Sequence, residues 1–238
     1  MHVLIGCEFS GIVREAFIAS GHDAWSCDLL PTEIPGQHLQ EDVLDVLDFG
    51  WDMAIFHPPC TYLAVSGARW MKDQDARKSG VLVGAARRDA QQQAIEFFLK
   101  LYNCKIPKKA IENPIGCMSS VFRKPDQIIK PSWFGHPEQK LTCLWLEGLP
   151  ALTPTNTVKE APRMILRSGK SLPEWYGKPK AGEDRQKARN RTFLGIAEAM
   201  AEQWGKNEQV EKSSVCVRPA GMPGLRGTLL QKTQTTLF

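Results

Sequence analysis

Cys60 stands behind two prolines in FHPPC (56–60), and Glu112 stands before Asn113 and Pro114 in AIENP (110–114). Both stretches are apolar runs stopped by proline, and proline removes a backbone donor and ends a strand. A cysteine held on so stiff a loop has the makings of a pre-positioned thiolate nucleophile, although small buried packing is the commoner fate of cysteine. An acid at a second strand tip can protonate or hydrogen-bond a polar ring. A desolvated carboxyl there keeps its proton more readily and can act as an acid, with Asn113 holding the loop. Cys7 is the nearest rival to Cys60: it ends an apolar run but has no proline scaffold.

Two further features could hold a ligand. CEFSG (7–11) follows the first apolar run, and a Ser-Gly turn there lets backbone pass close to a bound molecule at a helix N-terminus. Its spacing is not the GxGxxG of a dinucleotide site, and ordinary strand-to-helix turns look similar. Asp28 ends a second run and can accept both hydroxyls of a ribose, or cap a turn. Glu41 and Asp42 could accept from an adenine amino group, on a weaker local pattern.

These residues need elements to position them. HVLIGC (2–7), HDAWSCDLL (22–30), WDMAIFH (51–57) and KKAIENP (108–114) read as strands, with a possible short one in 38–46. IVREAFIAS (12–20), RRDAQQQAIEFFLKLYN (87–103) and RTFLGIAEAMAEQWG (191–205) read as helices. In the second of these, Ala94, Ile95, Phe98, Leu99 and Tyr102 share a face. Residues 61–85 read as loop with short helical pieces. Residues 127–135 and 141–149 read as a closing antiparallel pair.

Strand and helix in alternation imply an α/β fold with a mostly parallel sheet, and ligands gather outside the carboxyl ends of such strands. That puts the Glu8–Gly11 loop, Asp28, the His57–Cys60 loop and Glu112–Pro114 on one edge. Residues 1–149 then form a core, 150–190 an irregular basic excursion, 191–205 a returning helix and 206–238 a flexible tail.

The chain has 238 residues, 42% of them hydrophobic, a net charge of +4 and seven scattered cysteines. This suits a reduced, cytoplasmic protein with a packed core and no CxxC zinc site. No apolar run approaches the ~20 residues of a membrane span, and the first residues turn polar too early for a signal peptide. No membrane, metal or fixed oligomeric state is implied. Basic residues gather at Arg69, Lys72, Arg77, Lys78, Arg87 and Arg88. A second group runs from Lys159 to Arg191, interleaved with Trp175 and Tyr176. Charge among aromatics suits backbone contact and base stacking in nucleic acid, or is a solvated face.

Taken together, EFSG (8–11), PPC (58–60), ENP (112–114) and the helix FLGIAEAMAEQW (193–204) resemble the motifs of the cytosine-5 DNA methyltransferases, in particular the small phage and prophage members. The resemblance spans residues 1 to about 205 and rests on the order and spacing of short motifs. It implies a class I S-adenosylmethionine-dependent methyltransferase sheet, with the last helix returning to the cofactor pocket. It implies S-adenosylmethionine as cofactor, held by Glu8, Phe9, Ser10, Gly11, Asp28, Asp42 and Pro58. It implies DNA as partner, with a base flipped out of its stack. Cys60 would add to ring carbon 6, with Glu112 and Asn113 completing the catalytic set and Thr61, Ser66, Arg69 and Lys140 on the substrate side.

The sequence departs from the family where Thr61 follows the cysteine in place of Gln or Asn. It departs again where EQKLT (138–142) keeps only Lys140 of a Gln-x-Arg-x-Arg strand, and it has no large target-recognition domain. Two other readings stay open: transfer to an exocyclic amine, whose Asp/Asn-Pro-Pro-aromatic loop HPPCTY distantly resembles, and a non-catalytic cofactor- or DNA-binding protein.

Overall fold

The computed structural model describes residues 1–75, 80–165, 169, 171–173 and 191–206. Its centre is a seven-stranded sheet in the order β3-β2-β1-β4-β5-β7-β6. The strands are β1 (His2–Gly6), β2 (Asp23–Cys27), β3 (His38–Leu39), β4 (Met53–Phe56), β5 (Lys108–Pro114), β6 (Gln127–Ile129) and β7 (Thr142–Glu147). The first five are parallel; β7 runs antiparallel to both β5 and β6. The mostly parallel α/β sheet expected from the sequence is therefore present. The closing antiparallel pair is present too, as β6 and β7, with β7 inserted between β5 and β6. The link between β6 and β7 is not a tight hairpin, because Pro131–Trp133 form a 3-10 turn within it.

Among the described residues, three longer helices flank the sheet: α1 (Ile12–Ala19), α2 (Gly84–Tyr102) and, past a short α3 (Met118–Val121), α4 (Leu194–Gly205). Strand side chains alternate between the faces. Val3, Ile5, Met53, Ile55, Ala110 and Leu144 enter one core with α1 and α4. Leu4, Ala54, Phe56, Ile111 and Trp145 enter the other with α2. Burial on both faces is why the central strands read as continuous apolar runs rather than alternating ones. Ala197, Ala201 and Trp204 of α4 are buried in the first core.

Of the expected basic excursion 150–190, the described stretch 152–158 packs against the core. Leu152 is buried in the first core, and the backbone of 155–158 bonds into 132–135, including Gly135 N–H to the Asn156 carbonyl at 2.7 Å and Val158 N–H to the Ser132 carbonyl at 2.8 Å. Beyond it β8 (Arg163–Ile165) and β9 (Ser171–Pro173) form a separate antiparallel hairpin. Most of the late basic residues, Trp175 and Tyr176, Arg77 and Lys78, and the expected tail after Lys206 lie outside the described residues. Among the described residues, no helix is long and apolar enough to cross a membrane.

Candidate active site

The strand register builds the site. Gly6 pairs with Cys27 on β2 and Phe56 on β4, and Phe56 pairs with Ile111 on β5. The residues that follow these four, Cys7, Asp28, His57 and Glu112, therefore stand in a row along the carboxyl edge. The order reverses between β1 and β4, the switch point at which open α/β sheets bind ligands. Because β7 is antiparallel, its N-terminal end meets the same edge, with Thr142 opposite Pro114, and this brings in Lys140.

A cavity of about 280 Å³ opens there, lined by Phe9, Pro58 and Thr61 as well as Cys7, Asp28, His57, Cys60, Glu112, Asn113 and Lys140. A second cavity of about 150 Å³ includes Asp42 and shares Cys7, Asp28 and Pro59 with the first. Of the residues expected from the sequence, Cys60, Glu112, Asn113, Phe9, Asp28, Pro58, Thr61 and Lys140 thus come together. Glu8, Ser10 and Gly11 do not reach the wall of either cavity. Gly11 takes a left-handed conformation, φ 77°, to start α1, and its open face meets the Arg14 guanidinium. Ser66 and Arg69 are exposed on the 3-10 segment Val65–Met71 away from the wall, with Arg69 stacked 4.3 Å from the Trp70 ring. No residue of α4 lines the cavity; this helix packs on α1 instead of returning to the pocket.

Asp42 caps a 3-10 turn, Val43–Val46, accepting from the Leu44 N–H at 2.9 Å. Losing such a cap costs about 1 kcal/mol. Asp42→Ala is therefore expected to lower the melting temperature of the ligand-free protein, and Asp42→Asn to restore most of it in the same thermal melt. Asp28 accepts from the Leu30 N–H at 2.9 Å, and its carboxyl is raised, chiefly by burial.

Four contacts hold the catalytic candidates. The Asn113 amide donates to the Pro58 carbonyl at 2.9 Å, tying the β5 tip to the cysteine loop. His57 Nδ1 and Glu112 Oε2 are 3.0 Å apart, with both side chains nearly buried. On the far side Arg87 and Gln91 of α2 donate to the carbonyls of Thr61 and Tyr62 at 2.9 and 2.8 Å. Gly116 passes so close to this loop that a Cβ would overlap the Leu63 carbonyl.

Burial would raise the Glu112 carboxyl, but the Lys140 charge, the hydrogen bond and charge of His57 and the Thr142 hydroxyl outweigh it. They hold the group down at about 2. This corrects the expectation of a carboxyl that keeps its own proton: desolvation acts as anticipated, and neighbours invisible in the local sequence reverse its effect. The Cys60 thiol is raised, first by burial and then by the Glu112 charge, with Lys140 acting the other way. The resting site therefore holds a thiol rather than the thiolate expected. Cys7 is pushed far up by burial and by Asp28, which leaves it inert.

His57 and Arg87 are the residues that sequence reasoning missed as site residues. The HPPC spelling could have drawn attention to His57; nothing local marks Arg87. A hydrogen bond from a charged group is worth about 1.5–3 kcal/mol. Arg87→Met is therefore expected to speed amide exchange at Leu63 and Ala64, which both donate to the Cys60 carbonyl, by at least about tenfold. Exchange in β1 is expected to stay unchanged, as hydrogen-exchange mass spectrometry can check.

No protein-family model matches the chain, and no curated protein matches it significantly. Among solved structures, the crystal structure of a Spodoptera frugiperda DNMT2 mutant is similar over 68% of this chain and 56% of its own, at 12% identity and a TM-score of 0.39. The chain thus spans little more than half the length of that protein, and at that TM-score the likeness carries no argument. Among the described residues, no three His, Cys, Asp or Glu side chains cluster in a way that could hold a metal ion.

Proposed function

We propose that this chain is an S-adenosylmethionine-dependent methyltransferase that adds a methyl group to carbon 5 of cytosine in DNA, a DNA modification of the phage type. The observation that carries the reading is the meeting of Cys60 and Glu112 in one cavity at the switch point, on loops tied together by Asn113. The residues present fit the cofactor. Phe9 offers an aromatic face and Asp28 a half-buried carboxylate to a ribose, while behind the cavity wall Glu8 Oε2 of the same loop is buried with no hydrogen-bond partner. Asp42 borders the adjoining cavity. S-adenosylmethionine, when bound, supplies an electrophilic methyl group.

The chain's own residues make the cytosine ring nucleophilic. Cytosine carbon 5 is a poor nucleophile, and covalent activation divides one hard step into easier ones. Cys60 sulfur, having given its proton to solvent, bonds to ring carbon 6. The ring double bond shifts toward ring nitrogen 3, and Glu112, ionised at rest, relays to that nitrogen a proton it takes up from its surroundings. Carbon 5 takes the methyl group. Loss of the carbon-5 proton to water re-forms the ring double bond and expels the sulfur with its bonding pair, and nitrogen 3 returns its proton. Lys140, beside Glu112, steadies the charge that moves through the pair. The base must leave its stack to reach a cavity of this size. Residues 150–190 take the place of a target-recognition region, with Thr61 at the cavity mouth and Arg69 beyond it on the substrate side.

The test is DNA containing 5-fluorocytosine, in which the proton that must leave carbon 5 is replaced by fluorine. Wild-type protein with S-adenosylmethionine is expected to form a denaturation-resistant complex. Methyl transfer to an exocyclic amine with no such complex overturns the carbon-5 chemistry. Neither transfer nor complex leaves a binding protein.

A further inference from the structure

His57 has no part in the scheme above, yet it lies within hydrogen-bond distance of Glu112. The parallel register of β4 and β5 sets it beside that acid. The Nδ1 to Oε2 distance is 3.0 Å, and the side chains are only 8% and 12% exposed. Its backbone N–H is fixed to the Gly6 carbonyl at 2.9 Å. The second ring nitrogen, Nε2, is buried and has no hydrogen-bond partner, and the residue itself lines the cavity. A purely structural tie between two strand tips needs one neutral donor, which an amide side chain supplies as well. It gives no reason to place a group that can gain and lose a proton against the one carboxylate that must deliver one.

We infer that His57 and Glu112 share a single exchangeable proton, and that His57 stores the proton which Glu112 lends to the ring nitrogen of the flipped cytosine. This rests on the methyltransferase reading. Sulfur addition at carbon 6 drives an electron pair onto ring nitrogen 3, and a bare carboxylate has no proton to offer it. As the pair arrives, the Nδ1–H bond of the imidazolium breaks and its electrons stay on the ring. The proton bonds to the ionised Glu112 carboxylate, and the O–H bond so formed breaks in turn as the same proton bonds to nitrogen 3. On product formation nitrogen 3 returns a proton to Glu112 and the imidazole regains its own, so the pair consumes no proton in a turnover.

Several titratable or charged groups face the pair. They are Lys140 from the segment entering β7, Cys143 on β7, Cys60 on its own loop, and Cys7 and Asp28 across the cavity. His57 acts through Glu112 and is a positioning residue rather than a catalytic one.

The sign of the pH dependence follows. The pair works while it holds its proton, so kcat falls as pH rises through the loss of that proton. His57→Gln can keep the hydrogen bond to Glu112 but cannot store the proton. It is expected to lower kcat about 10²-fold at neutral pH, to move the alkaline limb of the kcat profile to lower pH, and to leave KM for S-adenosylmethionine within about twofold. A second readout needs no turnover: NMR of the full chain with ¹³C-labelled glutamate and ¹⁵N-labelled histidine. Wild type is expected to show an ionised Glu112 facing a protonated His57, and His57→Gln a Glu112 carboxyl that titrates at higher pH.

A His57→Gln protein with the wild-type kcat and pH profile, or a His57 ring that stays neutral below pH 6, overturns the inference while leaving wild-type trapping on 5-fluorocytosine intact. Wild-type protein that neither traps nor methylates overturns the methyltransferase reading itself, and the proton-storing role falls with it.

Discussion

Cys60→Ser is expected to abolish covalent trapping on 5-fluorocytosine DNA and to lower methyl transfer by at least about 10³-fold. The reason is the difference between sulfur and oxygen as nucleophiles. The site already disfavours the thiolate, because burial and the Glu112 charge raise the thiol. A serine hydroxyl in the same place is far harder to ionise, and no base within the described contacts is aimed at it. Folding is expected to be unaffected. Serine is close in volume, Cys60 is only partly buried, and the loop is held by its backbone carbonyl and by the Asn113 and Arg87 contacts on either side. Far-UV circular dichroism and a melting curve check that point. Methyl transfer that survives in Cys60→Ser would falsify the covalent scheme and favour transfer to an exocyclic amine.

The second large effect is on acid stability. Glu112 is held at about 2 against an ordinary value of 4.5. A carboxyl whose folded value lies below its unfolded one adds stability above the unfolded value, and loses it as pH falls toward the folded one. The window is therefore from about pH 5 down to about pH 2, and the contribution lost across it is on the order of 3 kcal/mol. Urea unfolding of the wild type at pH 7, 5, 4 and 3 is expected to show the decline, and Glu112→Gln a distinctly shallower one. Equal slopes in the two proteins would mean that Lys140, His57 and Thr142 do not hold the carboxylate as their placement implies. The same variant is expected to lose about 10²–10⁴-fold in methyl transfer, since an amide cannot pass a proton to the ring.

Much of the fold is legible along the chain because its central strands are short apolar runs with clear stops. MAIF ends at His57 and two prolines, and KKAIENP ends at Pro114; both appear as strands within a residue or two of those limits. Less was legible where the signal is short or the partner distant. β8 and β9 have three residues each, with β8 fully exposed, so they carry no alternation to read. Leu152 sits among prolines and threonines, and only its tertiary neighbours reveal it as core. The place of β7 between β5 and β6 follows from pairing across the sheet, which no local pattern announces. The late helix has the right length, yet its apolar face belongs to α1 rather than to the pocket.

The site divides in the same way. From the sequence alone come a cysteine behind two prolines, an acid before Asn-Pro, an aspartate and a Phe-Ser-Gly turn. Each ends an apolar run, and so all are directed to one edge of a parallel sheet. Proline chemistry and hydrophobic periodicity are local properties, and local properties can be read in order. Which of these ends stand side by side, and in what charge state, was decided only by the tertiary structure. His57 meets Glu112 because β4 and β5 are neighbours although 55 positions separate the two residues. Lys140 joins them because β7 runs backwards. The protonation of Glu112 and Cys60 then follows from distances between charges on different strands. Coulomb interactions in a site shielded from water depend on those distances, and distances across a sheet are not written in any one stretch of its strands.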